Sequence, residues 1–103
     1  MDLKDGDRQT PLSCAAEDGH HEVVSLLLEQ GAEVNSKDNC GRTPMWWAAE
    51  NRHERVVVLL LAAGSNINIA DHEYSHTPLS RAARGGHDVV ARLLLAATGV
   101  NMN

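Results

Sequence analysis

The sequence predicts an all-α protein built from three stacked repeats, and three observations lead to this fold class. The chain has 103 residues, which is close to three units of about 34. The string Thr-Pro-Leu at residues 10–12 recurs as Thr-Pro-Met at 43–45 and as Thr-Pro-Leu at 77–79. Aromatic residues make up only 3% of the chain, so Leu, Val and Ala must fill the core. Such periodicity is typical of solenoids, in which each unit packs on its neighbours.

Each unit is expected to open with a short helix after its Thr-Pro pair. The threonine hydroxyl can cap free backbone N–H groups, and proline suits the first helical position. Leu12, Ala15 and Ala16 then fall on one helical face, as do their equivalents. Gly19 is expected to end the first of these helices by accepting a positive φ, whereas Arg52 stands at that position in the second unit.

A second helix is predicted after a histidine that recurs in every unit. A Val pair and a Leu cluster give this helix an apolar face, and Gly31 is expected to stop it in the first unit. Residues 35–42 are polar and rich in turn formers, which predicts a hairpin-like loop between units. The loop before the third unit is one residue longer, and the third unit carries one more residue before Gly99.

These residues resemble the ankyrin repeat, whose hallmarks are Thr-Pro-Leu-x-x-Ala-Ala, Gly-His, Val-Val-x-x-Leu-Leu and Gly-Ala-x-Val-Asn. The match covers about residues 5–103. It implies an ankyrin-repeat solenoid of stacked helix-turn-helix units joined by hairpin-like loops. One domain over 1–103 is expected, with repeats at about 5–37, 38–70 and 71–103. The amino-acid sequence around the second repeat is also similar to ankyrin arrays of large fungal proteins.

The resemblance implies a module that binds another protein, without catalysis, through a concave face of loop tips and first helices. Positions on this face differ between units while the framework repeats, as expected of a recognition surface; drift on an unconstrained surface would give the same variation. The candidate loop residues are Asp7, Gln9, Asn39, Cys40, Arg42, Glu73, Tyr74 and His76. The candidate first-helix residues are Glu17, Asp18, Trp46, Glu50, Asn51 and Arg84.

The pair Trp46-Trp47 is the most unusual dipeptide of the chain. Trp47 aligns with Cys14 and Arg81, a position that varies in size, and we expect it to pack between units. Trp46 fits two roles equally well, an aromatic anchor for a partner and a packing residue.

The net charge of −5 belongs to the first unit. Residues 5–37 carry two basic and seven acidic side chains, whereas the second and third units each balance three against three. This asymmetry fits either steering of a basic partner or a solvated face, and the solvated face is favoured. Because phosphate affinity depends on clustered Lys and Arg, nucleic-acid and membrane-surface binding are not expected.

Neither an enzyme nor a cofactor is expected from these residues. His20, His53 and His87 recur once per unit, which indicates a structural role. His72 and His76 have a spacing that can bind zinc on a helix, but they fall in a predicted loop without further ligands. Cys14 and Cys40 are interpreted as free thiols, which suits an intracellular protein, cytoplasmic or nuclear.

A second hypothesis is a structural role. The chain shows no evident polar cap at either end, so it could be a segment of a longer array or a protein built from three units. In either case its end repeats would allow weak self-association.

Overall fold

The computed structural model describes residues 8–98, and this part of the chain folds into three pairs of antiparallel helices. Asp7 and the closing residues 99–103, including Gly99, lie outside the described residues. The first helices of the three pairs are α1 (Pro11–Asp18), α3 (Pro44–Glu50) and α5 (Pro78–Gly85). The second helices are α2 (His21–Glu29), α4 (Glu54–Ala62) and α6 (Asp88–Ala97). The described residues contain no β-strand, so the all-α prediction is confirmed.

The Thr-Pro pairs start the first helices as predicted. In each unit the threonine Oγ1 accepts a hydrogen bond from the backbone N–H three residues later, at 3.2 Å. The following proline occupies the first turn, where its missing N–H costs no helical hydrogen bond. Three identical caps therefore fix the starting point and direction of α1, α3 and α5.

The first helices end on a residue in the left-handed conformation. Gly19 has φ 75° and Gly86 has φ 69°. Arg52 takes the same conformation, with φ 61°, because the chain must make the same turn into α4 without a glycine. A β-carbon is disfavoured at positive φ, so the second unit carries a local backbone cost that the other two avoid.

Stacking of the units creates one elongated core. The helices α1, α3 and α5 pack side by side in one layer, and α2, α4 and α6 form the second layer. Ala16 and Ala49 are fully buried, which lets adjacent first helices approach closely. Larger side chains fill the space between the layers, and those with 0% exposure include Val24, Met45, Val57, Leu60, Val90 and Leu94.

The recurring histidine links neighbouring units. Nε2 of His53 lies 2.8 Å from the carbonyl oxygen of Glu17 in the preceding unit. Nε2 of His87 lies 3.0 Å from the carbonyl oxygen of Glu50 in the same way. Each ring satisfies a carbonyl that the end of a first helix leaves without an intrahelical partner. The predicted structural role is confirmed for His53 and His87. His20 is exposed with no such bond among residues 8–98, and its structural role stays a prediction.

The loops between units are built on aspartates that the sequence places in equivalent positions. Oδ1 of Asp38 accepts the backbone N–H groups of Cys40 and Arg42, both at 2.9 Å. Oδ1 of Asp71 accepts those of Tyr74 and His76, at 3.2 and 2.9 Å. The extra residue of the second loop is thus accommodated inside the same carboxylate-bound turn. The extra residue of the third unit lengthens α6 to 10 residues, against nine in α2 and α4.

Candidate functional site

The loop tips and the first helices form a groove of about 380 Å³ between the second and third units. Three predicted loop residues and two predicted first-helix residues meet there. The groove is lined by Arg42, Trp46, Trp47, Glu50, Asp71, Glu73, Tyr74 and Arg81. Trp47, Asp71 and Arg81 were not among the predicted site residues. The size variation at the position shared by Cys14, Trp47 and Arg81 was the signal that could have marked Arg81.

Trp46 is buried at the base of the groove, with 5% of its surface exposed. Its Nε1 donates a hydrogen bond to the carbonyl oxygen of His76 at 3.2 Å. Trp47 packs edge-to-face against it, with ring centroids 5.0 Å apart. The expected packing role of Trp47 agrees with its 4% exposure. Of the two roles predicted for Trp46, its burial and this hydrogen bond favour packing, since the indole holds the following loop in place.

Two arginines lie against the indole rings. The guanidinium carbon of Arg42 is 4.8 Å from the centroid of Trp46, and that of Arg81 is 5.3 Å from it. Guanidinium groups are attracted to the negative face of an indole, and this attraction strengthens when water is excluded. Both cations are therefore held inside the groove wall.

Each arginine is paired with a glutamate at the groove surface. Arg81 binds Glu50 through two hydrogen bonds, Nε to Oε1 at 2.8 Å and Nη2 to Oε2 at 2.9 Å. This hydrogen bonding raises the pKa of Arg81 above its ordinary value. Arg42 Nη2 donates to Glu73 Oε1 at 3.2 Å. Of the Arg42–Glu73 pair the arginine side chain is 11% exposed and the glutamate 44%, so the carboxylate is the part that faces solvent.

Tyr74 is the most exposed aromatic side chain of the groove, with 67% of its surface accessible. Its ring centroid lies 6.0 Å from that of His76, whose Nδ1 is 2.9 Å from Arg81 Nη1. An exposed aromatic ring on a loop held by Asp71 has little entropy to lose on contact with a ligand. Tyr74 is thus an exposed ring that lines the groove, and its contact with a partner stays a prediction.

The remaining predicted residues have mixed surroundings. Gln9 donates to Glu17 Oε1 at 3.0 Å, and Asn51 donates to the Glu17 carbonyl oxygen at 3.1 Å. Asp18, Asn39 and Arg84 are exposed. Cys40 is 3% exposed, in the turn around Asp38, so its side chain is not at the surface of the described chain. Asp7 lies outside the described residues.

Both cysteines are free thiols, as interpreted from the sequence. Within residues 8–98 there is no group of three or more His, Cys, Asp or Glu side chains placed to hold a metal ion. None of the described helices is long and apolar enough to cross a membrane.

Comparison with known proteins agrees with the repeat architecture. The family model for ankyrin repeats in three copies matches residues 1–71 and 39–103. E3 ubiquitin-protein ligase XBAT33 of Arabidopsis thaliana is 44% identical over 91 residues, which cover 88% of this chain and 18% of the ligase. E3 ubiquitin-protein ligase XBAT32 of the same plant is 41% identical over 91 residues, with the same coverage. Probable E3 ubiquitin-protein ligase XBOS32 of Oryza sativa subsp. japonica is 58% identical over 33 residues, which cover 32% of this chain and 7% of that protein.

The chain thus spans less than a fifth of the length of these relatives. The similarity to fungal arrays stays a prediction, since these relatives come from plants. The repeated caps, the histidine links and the family match lead to one conclusion: the chain belongs to the ankyrin repeat family.

Proposed function

We propose that the chain is a non-catalytic module that binds another protein through the groove between its second and third units. The observation that carries this proposal is the combination of an exposed Tyr74 and a rigid floor of Trp46 and Trp47. Aromatic residues on a preorganised surface dominate the energetics of many protein interfaces. The repeat stack supplies rigidity, because every unit is held by its neighbours.

The relatives give this proposal a context. They are named as ubiquitin ligases, and the matched segment covers 18% of the length of XBAT33 and of XBAT32. We propose that the present chain supplies recognition and that no catalytic step occurs on it. An intracellular location is part of the same proposal, and the two free cysteines support it.

Site-specific photo-crosslinking tests the proposed face. A photoreactive amino acid is placed at Tyr74 or at Arg84 on the concave side, and at Glu29 of α2 as the matched exposed control. In an extract of the source organism, we expect one discrete product from the first two positions and none from Glu29. Products from Glu29 alone, or no product from any position, would contradict the proposal.

A second candidate function is self-association of the stacked units. Val23 is 43% exposed, whereas the equivalent Val56 is 1% exposed because it packs against the unit before it. At the other side, Ala83 is exposed while Ala16 and Ala49 are fully buried. The outward faces of the first and third units are therefore complementary copies of an interface that already occurs twice inside the chain.

Mixing of two variants tests this second candidate. Val23→Lys blocks one face and Ala83→Arg blocks the other, and both positions are exposed, so the fold is retained. Each variant alone should sediment as a monomer, and an equimolar mixture should form dimers and nothing larger. A wild-type chain that stays monomeric over a hundredfold dilution series would overturn this candidate.

A further inference from the structure

We propose that the partner segment recognised by the groove is basic, with an arginine or lysine seated between Glu73, Glu50 and Tyr74. This inference rests on the proposed function and names the chemistry of the partner. It depends on which charges of the groove are already used and which still face solvent.

The cations of the groove are committed to internal partners. Arg81 uses Nε and Nη2 on Glu50 and places Nη1 2.9 Å from His76 Nδ1. Its guanidinium also lies over Trp46. Arg42 lies over both indoles and its side chain is 11% exposed. An acidic partner would have to break these contacts to reach either guanidinium.

The carboxylates, in contrast, keep acceptor capacity at the surface. An ionised carboxylate has about four lone-pair sites for hydrogen bonds. The contacts with Arg42 and Arg81 use one oxygen of Glu73 and two lone pairs of Glu50. The side chains of Glu73 and Glu50 are 44% and 31% exposed, more than their arginine partners. A second guanidinium or ammonium can therefore bind each glutamate without displacing the first.

Two aromatic groups support the same occupant. Tyr74 presents an exposed ring beside Glu73, and an aromatic face next to a carboxylate suits a cationic side chain. Trp47 also lines the groove, and its buried Nε1 has no hydrogen-bond partner among residues 8–98. A backbone carbonyl of a bound extended segment would satisfy this donor after a small adjustment of the groove wall.

The charge of the surface beside the groove differs between the first and the third unit. The first unit holds Glu17 and Asp18 at the end of its first helix, where the third unit holds Arg84. A segment with several basic residues is therefore attracted toward the first unit and repelled near the third. The first unit carries the net charge of −5, which favours faster association with a basic partner at low salt.

Peptide titrations test the inference. The probes are two fluorescein-labelled 12-residue peptides without aromatic residues, one with four arginines separated by Gly and Ser, the other with glutamate at the same positions. Binding to the full chain is followed by anisotropy and by emission of the tryptophans in the groove. We expect the arginine peptide to bind with a change in tryptophan emission and at least tenfold more tightly than the glutamate peptide.

Matched variants separate recognition by the groove from general attraction. Glu73→Gln and Glu29→Gln remove the same charge from exposed side chains, one in the groove and one on α2. Glu73→Gln should weaken binding of the arginine peptide at least fivefold, and Glu29→Gln less than twofold. Equal effects of the two variants, or equal binding of the two peptides, would overturn the inference.

The photo-crosslink at Tyr74 distinguishes failure of this inference from failure of the proposed function. A crosslinked partner segment with lysine or arginine within about three residues of the attachment point supports the basic segment. A segment that is acidic or apolar there overturns it and leaves the concave face as the binding surface. Absence of any crosslink from the concave side contradicts the proposed function itself.

Discussion

The imidazole Nε2 of His53 lies 2.8 Å from the carbonyl oxygen of Glu17, which joins the second unit to the end of the first helix. The same ring packs over Gly19, so close that a β-carbon there would lie 2.6 Å from Nδ1. His87 repeats the hydrogen bond to Glu50. The histidine that recurs in the sequence thus links neighbouring units, and its loss has a defined cost.

Replacement of His53 by alanine should destabilise the chain. The variant leaves the Glu17 carbonyl without this partner and removes packing over Gly19, for a loss of about 1–3 kcal/mol in the free energy of unfolding. His20→Ala is the matched control, because this exposed ring has no such partner among the described residues; its effect should stay within about 0.5 kcal/mol. Urea denaturation followed by circular dichroism measures both, and equal losses would show that the inter-unit bond contributes nothing.

Replacement of Arg52 by glycine should stabilise the chain. Arg52 is held at φ 61°, and relief of that conformation is worth about 1 kcal/mol. Arg55→Gly in the first turn of α4 is the control, and it should destabilise by about 0.5–1 kcal/mol because helical glycine loses more backbone entropy. We expect the melting temperature to rise for Arg52→Gly and to fall for Arg55→Gly. A lower melting temperature for both variants would mean that the Arg52 side chain holds an interaction that outweighs the strain.

Replacement of the buried Trp46 and of the exposed Tyr74 by alanine should affect stability very differently. Trp46→Ala removes a buried ring that anchors the next loop, at a cost of about 3–5 kcal/mol. Tyr74→Ala removes a side chain that is 67% exposed and should change stability by less than about 0.5 kcal/mol. Chemical denaturation checks both. A stable Trp46→Ala variant would return that ring to the list of candidate contact residues.

The thiols should react at different rates. Cys14 is exposed and Cys40 is buried, so a thiol reagent at pH 8 should modify one cysteine quickly. Partial desolvation of its sulfur raises the pKa of Cys14, and the nearby charges of Glu17 and Asp18 raise it further. Because a raised pKa leaves less thiolate at pH 8, Cys14 should react more slowly than glutathione and faster after Glu17→Gln. Mass spectrometry of the labelled chain would contradict this if Cys40 were modified first.

The sequence was sufficient to predict the framework because its determinants are local and recur three times. The Thr-Pro caps, the glycine turns and the apolar faces each act within a few residues, and their repetition removes ambiguity about register. The site was harder to predict. Whether Trp46 is a surface or a buried ring depends on the loop that follows 30 residues later, where His76 supplies the acceptor for its indole.

The ion pairs of the groove could not be predicted from the sequence either. Arg81 and Glu50 are 31 residues apart, and nothing in either local sequence announces their bidentate pair. Only the stacking of α5 on α3 brings them together. The net charge of each unit indicated only that the first unit is acidic. That Glu73 faces solvent while Arg42 points inward follows from three-dimensional packing alone.

Recognition of a basic segment by the groove can be measured by titrating the isotope-labelled chain with the arginine peptide and following its amide and indole N–H resonances. We expect saturable shifts of the Trp46 and Trp47 indole signals and of the Tyr74 amide, with little change at Leu26 and Glu29 of α2. Shifts concentrated on α2, α4 and α6, with the indole signals unmoved, would contradict the claim that the groove is the recognition surface.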